Sequence, residues 1–210
     1  MVPCRCDVER GEEEGHYEDL MAVPSHLVAE IIHGTLITMP RPRSRHARAS
    51  SNLGGELYGF TTRKRGPGGS IILDEPELHL GDEVIVPDLA GWRRERMPEL
   101  EDVPYFTLAP DWVCEVISPS TEVIDRADKI PIYAQHKVGH VWLIDPGIKT
   151  LEIFRLDGAT YRLLTTARDV QVVRAEPFES MELDLTALWD LTNRVEVAPR
   201  RGDCPRHAAH

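Results

Sequence analysis

Between Trp112 and Ile117 the chain reads WVCEVI, an apolar run interrupted by one carboxylate, Glu115. Successive side chains of a strand point to opposite faces. Val113, Glu115 and Ile117 therefore share one face, and Trp112, Cys114 and Val116 share the other. A strand apolar on both faces is a buried strand. A lone carboxylate inside it is costly and takes up a proton unless a partner offsets its charge. The sequence offers two kinds of partner. One is a cation on the following helix, Arg126 or Lys129, in a buried ion pair that leaves Asp88 as a plain turn residue. The other is a divalent metal, with Asp88, at the end of an earlier apolar strand, as second ligand. Magnesium favours one or two carboxylates completed by water and phosphate, and it activates bound water. Two carboxylates and one lysine are the minimal equipment of a Mg²⁺- or Mn²⁺-dependent phosphodiesterase.

At 210 residues the chain suits one domain with tails. No apolar run approaches a membrane span, and MVPCRCDVERGEEEG lacks a signal peptide's apolar core, so the expectation is a cytoplasmic protein with no membrane partner. The net charge of −11 argues against a general nucleic-acid binder. Local basic groups do occur, at Arg41, Arg43, Arg45 and Arg48 and again at Arg63, Lys64 and Arg65; they read either as a solvated face or as phosphate contacts. Cys4 and Cys6 form a CxC with no second half, and Cys114 reads as a small buried hydrophobe. Neither zinc nor a disulfide framework is expected.

In chain order, residues 1–15 read as a disordered tail, 16–192 as the folded domain and 193–210 as a second tail. HYEDLMAVP suggests a short helix ending before Pro24, and HLVAEIIHGTLITMP a hairpin turning at His33-Gly34. Glu30 interrupts the first run of that hairpin, so it lies on the open face or is held by a partner. A helix follows, with Ser44 as N-cap and His46 in its first turn, on the surface or at a site. Strands are expected near residues 70–74, 76–80 and 83–87, then an irregular connector over 93–110. After the WVCEVI strand comes a helix from about Glu122 to His136, broken or kinked at Pro131. VGHVWLID, TLEIFRL, TYRLLT and VQVVRA read as strands, and ELDLTALWDL as a closing helix.

Taken together, VPDLAGW, WVCEVISPST, DRADKIPIYA and VGHVWLIDP, with EIIHGTLITMPRPRSRH upstream, resemble the Uma-type putative restriction endonuclease family of the PD-(D/E)XK nuclease superfamily, over roughly Tyr17 to Trp189. The resemblance implies an α+β fold of restriction-endonuclease-like type, a mixed β-sheet flanked by helices with extra antiparallel hairpins. It places the PD motif on Pro87-Asp88 and the acidic motif on Glu115. The usual ExK pattern is not intact, because Ile117 stands at its lysine position. Lys129, in the following helix, is similar to a lysine that the family carries there, so the group looks relocated. Glu30 matches the family's N-terminal acidic residue and His46 the histidine after the proline-rich turn. The implied site has Asp88 and Glu115 holding Mg²⁺ or Mn²⁺, helped by Glu30. Lys129 orients or deprotonates water, and His46 and Tyr133 serve as accessory groups.

The implied partner is nucleic acid, with DNA the first expectation, and a homodimer would suit cleavage of two strands. Two rival readings stand beside it. A degenerate nuclease fold used for binding or assembly fits the acidic charge and the displaced lysine. A hydrolase using Cys114 or a serine of SPST with His136 or His140 lacks a nucleophile-elbow pattern.

Overall fold

The computed structural model describes residues 8–62 and 67–189. Cys4, Cys6, Cys204, the Arg63–Lys64–Arg65 cluster and the expected tail 193–210 lie outside the described residues. Strand β1 (Glu9–Glu14) precedes helix α1 (Tyr17–Ala22) and the hairpin of β2 (Leu27–Ile32) and β3 (Thr35–Pro40). His33 and Gly34 turn that hairpin at φ 53° and 72°, the left-handed backbone of a two-residue turn, which glycine adopts without strain. Helix α2 (Ser44–Leu57) leads to β4 (Ser70–Asp74), the hairpin of β5 (Leu78–Leu80) and β6 (Glu83–Ile85), then β7 (Leu89–Arg93) and β8 (Trp112–Val116). A π-helical stretch, Ile124–Lys129, runs into α3 (Ile130–Gln135). The chain continues with β9 (His140–Asp145), β10 (Thr150–Asp157), β11 (Thr160–Arg168), β12 (Val172–Val173), β13 (Leu183–Asp184) and α4 (Thr186–Trp189).

Two main sheets result. One is antiparallel, in the order β1-β3-β2-β6-β5. The other is mixed, in the order β11-β10-β9-β8-β7-β4, and β8 and β9 are its parallel pair. A parallel pair needs a crossover, which the Ile124–Gln135 helical segment supplies. The fold is therefore the expected α+β arrangement, a mixed sheet flanked by helices with added hairpins. Among the described residues no helix is long and apolar enough to cross a membrane.

Strand β8 separates two cores as its alternation requires. Val113 and Ile117 pack with Ile124, Ile132 and Tyr133, whereas Trp112, Cys114 and Val116 pack with Leu53, Leu57 and Trp142. Gly91 on β7 makes this fit possible: a Cβ there would lie 3.2 Å from the Trp112 ring. That glycine, just after Pro87-Asp88, is also why LAGWR does not read as a strand in sequence.

Other elements depart from expectation for identifiable reasons. Glu9–Glu14 is a strand, although residues 1–15 read as a tail. Its backbone pairs with β3, and ladder hydrogen bonds do not depend on apolar side chains. Pro131 neither breaks nor ends its helix. The Ile130 amide donates to the Asp125 carbonyl five residues back, and this wider winding precedes the proline, which lacks a donor of its own. Ser44 is the first residue of α2, with Arg43 in the cap position. Among the described residues the C-terminal helix begins only at Thr186, because Leu183 and Asp184 pair with Val173 and Val172 as strand.

Leu53 is fully buried between α2 and the mixed sheet, whereas Leu163 on β11 is 47% exposed. Leu53→Ala should cost about 2–4 kcal/mol in urea denaturation, and Leu163→Ala within about 0.5 kcal/mol of zero.

Candidate active site

The PD motif ends where β7 begins, and Asp88 there reaches across to β8. Its Oδ2 accepts the Val116 amide at 2.7 Å, and its Oδ1 lies 3.4 Å from Nε2 of His46, on the first turn of α2. Next to Val116 on the opposite face of β8 is Glu115, 2% exposed. The Tyr133 hydroxyl donates to Glu115 Oε1 at 2.5 Å, and Lys129 Nζ lies 3.4 Å from the same oxygen.

Lys129 is the centre of the cluster. Its ammonium sits 2.8 Å from Oε1 of Glu30, on β2, and 3.6 Å from Oδ1 of Asp125. Glu30 is fully buried; its Oε1 also accepts the Val86 amide at 2.8 Å, while its Oε2 is a buried acceptor without a hydrogen-bond partner. One ammonium thus faces three carboxylates from three separate segments of chain.

Burial and charge act together on these groups. Burial pushes the Glu115 carboxyl well above its usual range, against the opposing pull of Lys129. Asp125 is pushed up to about 6, by burial first, with Lys129 and a hydrogen bond from Thr121 opposing. Burial works against charge on Lys129, but Glu115, Glu30 and Asp125 outweigh it and hold the ammonium well above its usual value. Burial likewise opposes a charged His46, and Asp88 more than compensates. Burial, then Glu115, raises Tyr133, so its phenol remains a donor.

Asp88, Glu115, Asp125, Lys129 and His46 all line one cleft of about 720 Å³. Glu30 and Tyr133 do not line it; each stands behind the residue it holds. Six of the residues expected at the site, Asp88, Glu115, Lys129, Glu30, His46 and Tyr133, are therefore brought together, in two layers. Arg126 is not among them: it turns away to Glu122 at 3.1 Å and Glu152 at 2.7 Å.

Asp125 is the site residue that the sequence reading missed. Its signal was present, four residues before Lys129 in DRADK. In the wide winding of Ile124–Lys129, residue 125 rather than 126 shares the face of Lys129.

Among the described residues no three or more His, Cys, Asp and Glu side chains form a ready metal cage. Magnesium does not require one, since water and phosphate complete its shell. The donor set that fits is Asp88 with Glu115, the carboxylates at the ends of adjacent strands that line the cleft. A surplus of carboxylate over ammonium surrounds them. Cys114 does not fit a nucleophile's role: it is fully buried in the opposite core, and burial drives its thiol well up. His140 is engaged by Glu176 at 3.2 Å, away from the SPST serines, which bond among themselves.

The fold is of the restriction-endonuclease-like class. Residues 16–187 match the Uma2 family, described as putative restriction endonuclease, and the chain belongs to that family. A solved structure, a putative nuclease belonging to DUF820 from Anabaena variabilis ATCC 29413, is similar in fold, with a TM-score of 0.65 at 24% identity. The match covers 82% of this chain and 96% of that one. No curated protein matches the chain.

Asp125 supplies a pH test of this cluster. Its carboxyl, at about 6 in the fold against 3.8 unfolded, is neutral in both states at low pH and must ionise at a cost in the folded state as pH rises. Its contribution therefore disfavours the fold increasingly from about pH 4 to 6, by on the order of 3 kcal/mol at most. In chelator-containing buffer, Asp125→Asn should gain stability relative to wild type across that window, read by denaturant unfolding. A difference flat with pH would show that Asp125 does not titrate there.

Proposed function

We propose that the chain is a metal-dependent endonuclease that hydrolyses phosphodiester bonds of nucleic acid, with DNA as the first expected substrate. The observation that carries this reading is the convergence of Asp88, Glu115 and Lys129 on one cleft, with the ammonium 3.4 Å from the Glu115 carboxylate. Asp88 and Glu115 would hold Mg²⁺ or Mn²⁺. When bound, such an ion supplies positive charge at the phosphate and lowers the pKa of water.

The protein's own groups then have separable tasks. Lys129 stays an ammonium, so it orients water and offsets charge developing on phosphate rather than acting as a base. Tyr133 fixes one oxygen of Glu115 by its hydrogen bond, and the Val116 amide fixes one oxygen of Asp88. His46, close to the other oxygen of Asp88, orients that carboxylate from the side of α2. Glu30 is assigned to hold Lys129 instead of a metal, because it stands behind Lys129 and does not line the cleft.

Calorimetric titration should show Mn²⁺ binding to the wild type and its loss in the folded Asp88→Ala/Glu115→Ala double variant. Lys129→Ala, folding retained, should lower cleavage of a plasmid or oligonucleotide by about 100-fold or more while leaving Mn²⁺ uptake in place. Tight nucleic-acid binding with no metal-stimulated cleavage would instead establish the non-catalytic binding module.

A further inference from the structure

We infer that the substrate is a single strand or an unpaired end of nucleic acid rather than the interior of a duplex. This rests on the hydrolytic reading above and narrows it to a substrate class. The first ground is depth. Glu115, Asp125 and Lys129 are 2–3% exposed, and the side chains of Asp88 and His46 are 13% exposed. A phosphate must come down into the cleft to reach them. Duplex DNA is a stiff rod, with a persistence length of about 50 nm, and bending or opening it costs energy. A single strand bends at every linkage.

The second ground is shape. Pro40–Arg43 stand on one wall of the cleft and Ser118–Thr121 on another. The cleft, about 720 Å³, is of the size that takes one drug-sized molecule, and so only a short stretch of nucleic acid. Val28, Arg41, Glu75 and Val86 also border a second groove of about 540 Å³, lined further by Pro104 and Phe106, with Arg41 and Glu75 3.6 Å apart among the shared residues. A flexible strand suits a half-open cleft of this size, whose lining includes the apolar Val8, Val28, Met39 and Val116.

The third ground is charge. A duplex carries about one negative charge per 1.7 Å and is held by many Lys and Arg contacts. This chain has a net charge of −11, and the exposed basic residues lining the cleft are Arg41 and Arg43, with Arg41 3.6 Å from Glu75. Single strands are bound by a modest basic track combined with contacts to base faces.

The test uses fluorescence anisotropy with labelled oligonucleotides of about 12 nucleotides, as DNA and as RNA, single-stranded and as the blunt duplex of the same sequence, with Ca²⁺ present. Either single strand should bind at least about tenfold more tightly than its duplex. Ser120→Trp, a substitution at an exposed position on the cleft rim, should weaken that binding by about tenfold while far-ultraviolet circular dichroism stays unchanged. With Mg²⁺ or Mn²⁺, a duplex bearing an unpaired tail should be cut in the tail. Equal or tighter binding of blunt duplex, cutting within the paired region, or no binding of either single strand would overturn the inference. Duplex cutting would do so while leaving the hydrolytic reading in place. Single-strand preference without cleavage would support the inference and overturn the hydrolytic reading.

Discussion

An ammonium buried among three carboxylates governs this molecule. Lys129 is 3% exposed and is held by Glu30 from β2, Glu115 from β8 and Asp125 from its own helical segment. Removing two opposite charges from water is expensive, and their attraction offsets that cost only with good geometry, so a buried ion pair is weak evidence of a stability device. Here the balance is further from neutral than in a simple pair. Three carboxylates outnumber one ammonium, Asp88 and His46 lie alongside, and burial raises the proton affinity of Glu115 and Asp125 against the opposing pull of Lys129. A fold selected for stability alone gains more from apolar residues at these positions. On the proposed reading, that surplus of carboxylate is what a bound cation would pair with.

The same cluster joins the two sheets. Glu30 belongs to the antiparallel sheet and Glu115 to the mixed one, and Lys129 contacts both. The cleft is bordered by both sheets, with Val28 and Met39 on one and Val116 on the other, so its geometry follows from how the sheets meet. Asp88 depends on the same framework. Its Oδ2 takes the Val116 amide, which fixes the carboxylate relative to the neighbouring Glu115. Gly91, by leaving room for Trp112, lets β7 approach β8 closely enough for that bond.

Much of this was legible in the sequence, and the reasons are specific. The alternation in WVCEVI fixed which residues share the face of Glu115, because a strand's period leaves no choice. The His33-Gly34 turn and the strand over residues 70–74 were equally local signals. Glu30 was legible only as a question: its sequence gives two outcomes, and the decision came from Lys129, nearly a hundred residues away. β1 was hidden because its pairing is made by backbone, and β7 because a glycine demanded by a neighbouring ring reads as a turn. Asp125 was legible at its spacing, four residues before Lys129, but Arg126, three residues before it, competed for the same face. In a π-helical stretch the face is different, and the sequence carries no simple mark of that winding beyond Pro131 just after it.

That winding also bears on the displaced lysine. In the usual pattern the lysine would stand at residue 117, two positions along the strand from Glu115 and on its face. Ile117 occupies that place and packs with Ile124, Ile132 and Tyr133, which fixes the helical segment against the sheet. An apolar residue there does two things at once: it removes the strand's own cation and seats the element that brings Lys129. Asp125, four residues before Lys129, lies beside it, the π-helical winding carries Arg126 off that face, and Tyr133 one turn on reaches Glu115. The place of Lys129 on the helical segment ties the ammonium to a helix and to Glu30 rather than to the strand that carries Glu115. The position of Lys129 relative to the carboxylate therefore follows from helix packing, and changes at Ile117, Ile124 or Ile132 act on the site without touching it.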